Sequence, residues 1–231
     1  MKIDFSEFGQ KGEVIVFLHG WQQDKKSFFP LVPFLFRKYH LYLLDLPGFG
    51  GSQFPPLHFS SFDYAEVIAQ WLKRKRLKKV ILVGHSFGGK VAAIIAAKNP
   101  LYVAKLILIS NSGIKASLGF EKISLLGKYL PESIKILLLP LFASKDYREA
   151  GKLLPIFKTI VKEDIRDIFS KIKTPTLIIW GKRDRELPWQ HGKLINQLIR
   201  QSELVLLEGD HFPFWQYPDK VAGEIDRFIK G

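Results

Sequence analysis

The sequence predicts an α/β fold with a mostly parallel sheet, helices on both faces and a small helical lid insertion. Two observations support this prediction. Short apolar runs alternate with longer segments of helical spacing, and the apolar runs are continuous rather than alternating. Continuous apolar strands are typical of a sheet that is covered on both faces, as parallel sheets are. A chain of 231 residues suits one such domain with a well-filled core.

Six apolar runs have the length of buried strands. The first ends at His19-Gly20, the third leads into a glycine-rich turn, and the last is followed closely by His211. Four other segments carry apolar residues at helical spacing. The predicted strands are residues 13–18, 41–45, 80–83, 105–109, 176–180 and 203–207, and the predicted helices are residues 27–39, 62–76, 86–98 and 221–230.

The alternation of strands and helices breaks once, in residues 112–172. This stretch has helical pieces at 120–130 and 132–139 but no convincing strand. It follows one core strand and precedes another. We therefore expect a lid over the carboxyl ends of the strands, where open α/β sheets bind ligands. Residues 1–111 and 173–231 would form the core.

Composition excludes several classes of function. The chain has no cysteine, which rules out disulfides, thiolate catalysis and Cys-based zinc sites. This fits a reducing cytoplasm, where we expect the protein. The amino-terminal residues do not read as a signal peptide, and no apolar run approaches the about 20 residues that a membrane span needs. No His, Asp or Glu spacing suggests a metal, and we expect no cofactor.

The net charge of +13 is high, and its densest part lies at residues 73–79. Such a run could bind nucleic acid or an anionic membrane. It could equally be the solvated last turn of a helix, where cations favour the negative end of the helix dipole. We favour the second interpretation and do not expect nucleic acid as a partner, because no nucleic-acid motif accompanies the run.

The strongest chemical signal is Gly-His-Ser-Phe-Gly-Gly at residues 84–89. It lies between a buried strand and a helix, where a nucleophile must project from a tight, strained turn. Glycines two positions before and after Ser86 avoid clashes with the neighbouring elements. A glycine-rich turn for packing or phosphate binding is the alternative, but neither common phosphate motif is present.

Four motifs in chain order resemble the α/β-hydrolase superfamily, over almost the whole chain. These four come in addition to the turn at 84–89. They are His19-Gly20, the Asp-Leu-Pro-Gly-Phe-Gly-Gly-Ser run at 45–52, the G-x-x-D-x-x-x-P pattern at 181–188 and Gly-Asp-His-Phe-Pro at 209–213. Each follows a predicted strand. The order of serine, acid and histidine is also that of the family.

These motifs place three side chains at one sheet edge. Ser86 needs a base within hydrogen-bond reach, and His211 can take and return its proton. Asp184 can accept from the other ring nitrogen, as the resemblance implies. The backbone N–H of Phe87 begins a helix and can stabilise an oxyanion. The resemblance suggests the N–H of Trp21 as the second donor.

Several assignments have competitors. The acid could be Glu186, Asp210 or a carboxylate near Asp164, although only Asp184 lies at the family position. His85 is expected to point away from the site, and His19 to be a structural residue of the oxyanion loop. The remaining histidines, His40, His58 and His191, have no partner motif.

The expected function is hydrolysis of a small carboxylic ester through an acyl-enzyme intermediate. Aromatic residues beside the motifs suggest an apolar acyl or aryl group, with Trp21, Phe87 and Phe212 as substrate contacts; for any one of them, core packing is about as good an explanation. Two alternatives stay open. One is a carbon–carbon bond hydrolase of a vinylogous diketone, and the other is a non-catalytic, ligand-binding member of the fold.

Overall fold

A computed structural model describes residues 1–115 and 150–231. Within this part of the chain, seven strands form one sheet in the order β1-β3-β2-β4-β5-β6-β7. Neighbouring strands are parallel except for β1, which pairs antiparallel with β3 at the edge. The strands are β1 Phe5–Phe8, β2 Val14–Leu18, β3 His40–Leu44, β4 Val80–His85, β5 Val103–Ile109, β6 Thr176–Gly181 and β7 Ser202–Leu207.

Helices cover both faces of this sheet, which confirms the predicted fold class. Successive strand residues point to opposite faces, so Val16 and Leu82 belong to one core cluster and Ile15 and Ile81 to the other. Helices α2, α3 and α6 cover the first cluster, while α1 and α8 cover the second. The helices are α1 Val32–Leu35, α2 Ser61–Arg74, α3 Phe87–Lys98, α4 Leu154–Ile160, α5 Arg166–Phe169, α6 Gln190–Leu198, α7 Pro213–Gln216 and α8 Pro218–Lys230.

Helix α3 carries the site, and it is buried on all sides. It packs on β4, β5 and α2, and its residues 87–96 are all buried. This explains its Ala- and Ile-rich composition, because a helix that is apolar all round belongs in a core. Helix α2 is amphipathic instead. It begins with a capping box in which Ser60 and Asp63 exchange side-chain and backbone hydrogen bonds.

The structure differs from the sequence prediction at two elements. Strand β1 was not predicted, because its Phe-Ser-Glu-Phe sequence is short and half polar, as edge strands often are. The helix predicted at 27–39 is a 3₁₀-helix, Lys25–Leu31, followed by the single turn of α1. Pro30 and Pro33 interrupt a continuous helix there, since proline has no N–H to donate.

The insertion is described only in part. Its helical pieces predicted at 120–130 and 132–139 lie outside the described residues. The described remainder contains a 3₁₀-helix at Gly151–Leu153, then α4 and α5, and no strand. Its two ends are joined by a hydrogen bond of 2.8 Å from the Ile165 N–H to the Gly113 carbonyl. The division into core and lid at residues 112–172 stays a prediction.

Candidate active site

Ser86 lies at a sharp turn between β4 and α3. Its backbone has φ 48° and ψ −115°, a conformation that residues other than glycine rarely adopt. The flanking glycines make the turn possible. A Cβ on Gly84 would lie 2.4 Å from the Gly88 carbonyl oxygen, and one on Gly88 would lie 2.1 Å from the Leu18 carbonyl oxygen. Both distances are clashes, so the G-x-S-x-G spacing follows from packing around Ser86.

Two backbone segments meet beside this serine. Phe87 is the first residue of α3, so its N–H has no acceptor within the helix. Gly20, which precedes Trp21, approaches so closely that a Cβ there would lie 3.2 Å from the Ser86 Cβ. The rings of Trp21 and Phe87 are 5.5 Å apart. The structure therefore brings the two residues predicted as oxyanion donors close to Ser86 and to each other.

His211 is oriented by Asp184. The His211 Nδ1 and Asp184 Oδ2 atoms are 2.8 Å apart, and both side chains are buried. The other carboxylate oxygen, Oδ1, accepts the N–H groups of Glu186 and Leu187, each at 2.9 Å. Asp184 is thus held by its own loop and aims one oxygen at Nδ1. In neutral imidazole this favours a proton on Nδ1 and leaves Nε2 as the acceptor.

None of the other three carboxylates considered for this role is bonded to Nδ1 of His211. Glu186 Oε2 lies 3.5 Å from Nε2 of His211, on the side of the ring opposite Asp184. Asp210 accepts the Phe212 N–H at 2.8 Å and the Gln216 amide at 2.7 Å. Asp164 pairs with Arg166. Of the four, Asp184 is the one bonded to Nδ1.

A cavity of about 550 Å³ contains both Ser86 and His211. A second hollow, of about 490 Å³ and bordered by Gln22, Gly48 and Trp215, contains neither of them. Within the described residues, the Ser86 hydroxyl makes no hydrogen bond to His211. The apolar side chains on the wall of the first cavity are those of Trp21, Phe87, Ile114, Phe157, Ile160, Val161 and Leu187.

One predicted substrate contact, Phe212, is not on this wall. Its ring lies 5.1 Å from the ring of His85 and packs against the second core cluster. Neighbouring side chains in an extended segment point to opposite sides. Because His211 faces the cavity, Phe212 faces the core. Within the described residues, Phe212 therefore does not border the cavity, and its predicted contact with substrate has no support from the cavity wall.

A buried lysine fixes one wall of the cavity, and no pattern in the sequence indicates it. Lys90 is 3% exposed, and its Nζ lies 2.6 Å from the Ile160 carbonyl, 3.0 Å from the Glu163 carbonyl and 3.4 Å from Glu163 Oε2. Glu163 Oε1 in turn accepts the Ser61 N–H at 3.1 Å. The three N–H groups of an ammonium are thereby all used. Lys90 holds the end of α4 against α3 and has none left for a substrate.

Two further buried histidines support the loops around the site. His19 donates from Nδ1 to the Gly20 carbonyl at 2.7 Å and accepts the Leu46 N–H on Nε2 at 2.9 Å. His85 Nε2 lies 2.9 Å from the His211 carbonyl oxygen, to which it donates. Burial lowers the pKa of His19 to about 4 and holds the pKa of His85 well below its ordinary value. Burial therefore favours the neutral form of both rings, and for His19 the bond from the Leu46 N–H to Nε2 requires it.

Because of these two histidines, we expect the folded protein to lose stability in mild acid. An unfolded histidine binds its proton near pH 6.5, whereas folded His19 does so only near pH 4. The unfolded state therefore takes up more protons as the pH falls. The free energy of unfolding should drop by about 2 kcal/mol between pH 7 and pH 5 from His19 alone, with His85 adding to it.

Calorimetry in buffers of different ionisation enthalpy can count these protons. More than one should be taken up on unfolding near pH 5, about one of them by His19. Uptake near zero at that pH would show that the two histidines are protonated in the folded protein.

A serine at a strained turn between a parallel strand and a buried helix is the arrangement of an α/β hydrolase. The sequence profile described as alpha/beta hydrolase fold matches residues 13–135, more than half of the chain. The chain belongs to this family.

Named relatives span nearly the whole chain. Lipase 1 of Psychrobacter immobilis is 27% identical over 98% of this chain and 80% of its own length. A pimeloyl-[acyl-carrier protein] methyl ester esterase of Aeromonas hydrophila is 27% identical over 99% of this chain and 100% of its own. A solved structure of a membrane phospholipase A has a TM-score of 0.80 at 27% identity, and the alignment covers 99% of this chain and 82% of that one.

No helix within residues 1–115 and 150–231 is long and apolar enough to cross a membrane. In the same ranges, no three His, Asp or Glu side chains are grouped so that they could hold a metal ion.

Proposed function

We propose that this protein is a carboxylic ester hydrolase that uses Ser86 as nucleophile, His211 as base and Asp184 as the orienting acid. The observation that carries this proposal is the shared cavity. Ser86 projects into it from the strained turn, and His211, held at Nδ1 by Asp184, borders the same space. The relatives named as lipase and esterase support ester chemistry over carbon–carbon bond cleavage.

Acylation follows from this geometry. His211 Nε2 takes the Ser86 proton as Oγ attacks the carbonyl carbon, and the developing imidazolium is stabilised by Asp184. The carbonyl oxygen becomes an oxyanion, for which the Trp21 and Phe87 N–H groups are the donors. His211 then gives the proton to the departing alcohol. The hydrogen bond between Ser86 and His211 need not be closed without substrate, because such bonds commonly tighten only in the complex.

Deacylation reverses the roles. Water takes the place of the alcohol. His211 Nε2 removes one proton from this water as the water oxygen attacks the carbonyl carbon of the acyl group on Ser86. Collapse of the second oxyanion breaks the bond to Oγ, which regains the proton from His211. One ester and one water give one acid and one alcohol, and no other reactant is needed.

Two assays test the proposal. A fluorophosphonate reagent should label Ser86 and no other residue, because only an activated serine reacts readily. A panel of nitrophenyl esters of rising acyl length, with a vinylogous diketone added, separates the ester reaction from its alternative. Turnover of the diketone but of no ester would assign the second chemistry. No turnover and no labelling would favour a ligand-binding protein.

The wall on α4 should set the length of acyl chain that is accepted. Ile160 borders the cavity, and Lys90 fixes the helix end that carries it. An Ile160→Ala protein should favour esters about two to three carbons longer, because the side chain removed is about that size. The ratio of kcat/KM between long and short esters measures this shift.

Ile156 offers a matched control on the same helix. It is fully buried but does not border the cavity. An Ile156→Ala protein loses the same atoms from the core and should keep the wild-type length preference. An equal shift in both variants would mean that a looser fold, and not the cavity wall, changes the preference.

A further inference from the structure

Apart from Lys90, Lys115 and Arg185, which border the cavity, the basic side chains lie away from the site described above. Their distribution along the chain is uneven. No Asp or Glu occurs between residues 67 and 120, whereas ten Lys and Arg do. Several of these cations lie in loops that enter strands. Those loops meet at the amino ends of the parallel strands, which is the sheet edge opposite the cavity.

Hydrogen bonds place four of these loops side by side. The His40 N–H donates to the Glu13 carbonyl at 3.1 Å, which joins the starts of β3 and β2. Ile15 pairs with Ile81, so β4 begins beside β2. The Val80 N–H donates to the Tyr102 carbonyl at 2.8 Å and joins β4 to β5. We call six exposed residues of these loops the basal surface: Lys11, Phe36, Arg37, Lys78, Lys79 and Leu101.

The cations of the basal surface are not neutralised within the described part of the chain. Lys11, Arg37, Lys78 and Lys79 form no ion pair there; Arg37 instead lies 5.8 Å from the centre of the Phe36 ring. Three acids lie at this end of the sheet, and one of them, Glu7, pairs with His40 at 2.6 Å. Glu13 is exposed, and Asp226 already binds Lys38 and Lys230 at 2.9 Å and 2.8 Å.

Apolar side chains protrude among these charges. Leu101 is 83% exposed, on the loop beside Lys78 and Lys79, and Phe36 is 38% exposed beside Arg37. A leucine this exposed buries almost no apolar area in the folded chain and so adds little to its stability. At a lipid headgroup layer, however, cations are attracted by anionic lipids while an adjacent apolar side chain can enter the acyl boundary.

We propose that the basal surface binds a bilayer of anionic phospholipids. A nucleic acid would use the same cations but would leave Leu101 in water. Lysine also suits headgroups well, because it acts as a point charge without the geometric demands of base or phosphate recognition. In this orientation the cavity, at the opposite sheet edge, faces away from the membrane, and substrate enters from the aqueous side.

Sedimentation with vesicles tests this directly. The wild-type protein should bind vesicles of phosphatidylcholine mixed with phosphatidylserine, should not bind vesicles of phosphatidylcholine alone, and should be released by high salt. A Lys78→Glu/Lys79→Glu protein should bind at least about tenfold more weakly, since each basic residue contributes about fivefold. A Leu101→Ser protein should bind more weakly with an unchanged salt dependence.

A control with the same change in net charge is available on the helices α6 and α8. Lys193 and Lys220 are exposed there, and Lys193→Glu/Lys220→Glu should leave vesicle binding within about twofold of wild type. All three variants should keep wild-type ester turnover, which shows that they are folded. Equal loss in the control would assign binding to net charge alone and overturn the proposal. So would tighter binding to RNA than to anionic vesicles, or no vesicle binding at all.

Discussion

A Ser86→Ala protein should fold normally and lose at least about four orders of magnitude in kcat. The alanine keeps the Cβ and the backbone of the turn, so the packing of Gly84 and Gly88 around it does not change. What is lost is the oxygen that forms the acyl-enzyme. His211, Asp184 and the oxyanion donors remain and can at most assist a direct attack by water, which explains a small residual rate.

Single-turnover kinetics with a nitrophenyl ester measure this loss, and the wild-type protein should show a burst of nitrophenol from acylation. Ser112 gives the matched control. It also borders the cavity, and its N–H and hydroxyl both bond the Ser86 carbonyl. Ser112→Ala should cost far less than Ser86→Ala. Retained turnover in a well-folded Ser86→Ala protein would rule out the serine mechanism.

An Asp184→Asn protein should fold and lose up to about 10⁴ in kcat. The structure gives the reason. Since Oδ1 accepts two backbone N–H groups, the amide oxygen of asparagine must take that position, and its NH₂ group then faces His211 Nδ1. The NH₂ group donates to Nδ1, so the proton of the neutral imidazole moves to Nε2. A protonated Nε2 cannot accept the proton of Ser86.

Two neighbouring carboxylates test this assignment. Asp210→Asn removes a charge next to His211 in sequence, and Glu186→Gln removes one that lies 3.5 Å from Nε2. Each should cost about tenfold or less, because neither holds Nδ1. If Asp210→Asn proves as damaging as Asp184→Asn in proteins of equal stability, Asp184 is not the orienting acid.

The sheet and the position of its motifs could be predicted because both depend on local patterns. Buried parallel strands are continuous apolar runs, and the motifs follow strand ends that must share one edge. The same reasoning placed Ser86, Asp184 and His211 at that edge. Strand β1 could not be predicted in this way, because Ser6 and Glu7 break the apolar pattern in a strand of only four residues.

What the sequence could not predict depends on contacts between distant segments. In the sequence, nothing distinguishes Lys90 from any other lysine in a helix. Only the fold brings the Ile160 and Glu163 carbonyls to its ammonium group. His85 likewise became a support of His211 through a bond across 126 residues of chain. The position of Phe212 against the core could not be predicted for a related reason: nearness to a motif in sequence does not fix the side of the chain to which a ring points.

The strained backbone at Ser86 sets stability and activity against each other at one position. Its φ of 48° costs on the order of 1–3 kcal/mol for any residue with a Cβ, whereas glycine would adopt it freely. A glycine at position 86 would therefore make the protein more stable and inactive at once. Among random variants selected for thermal resistance alone, this position should drift toward glycine, and activity would be lost without any damage to the fold.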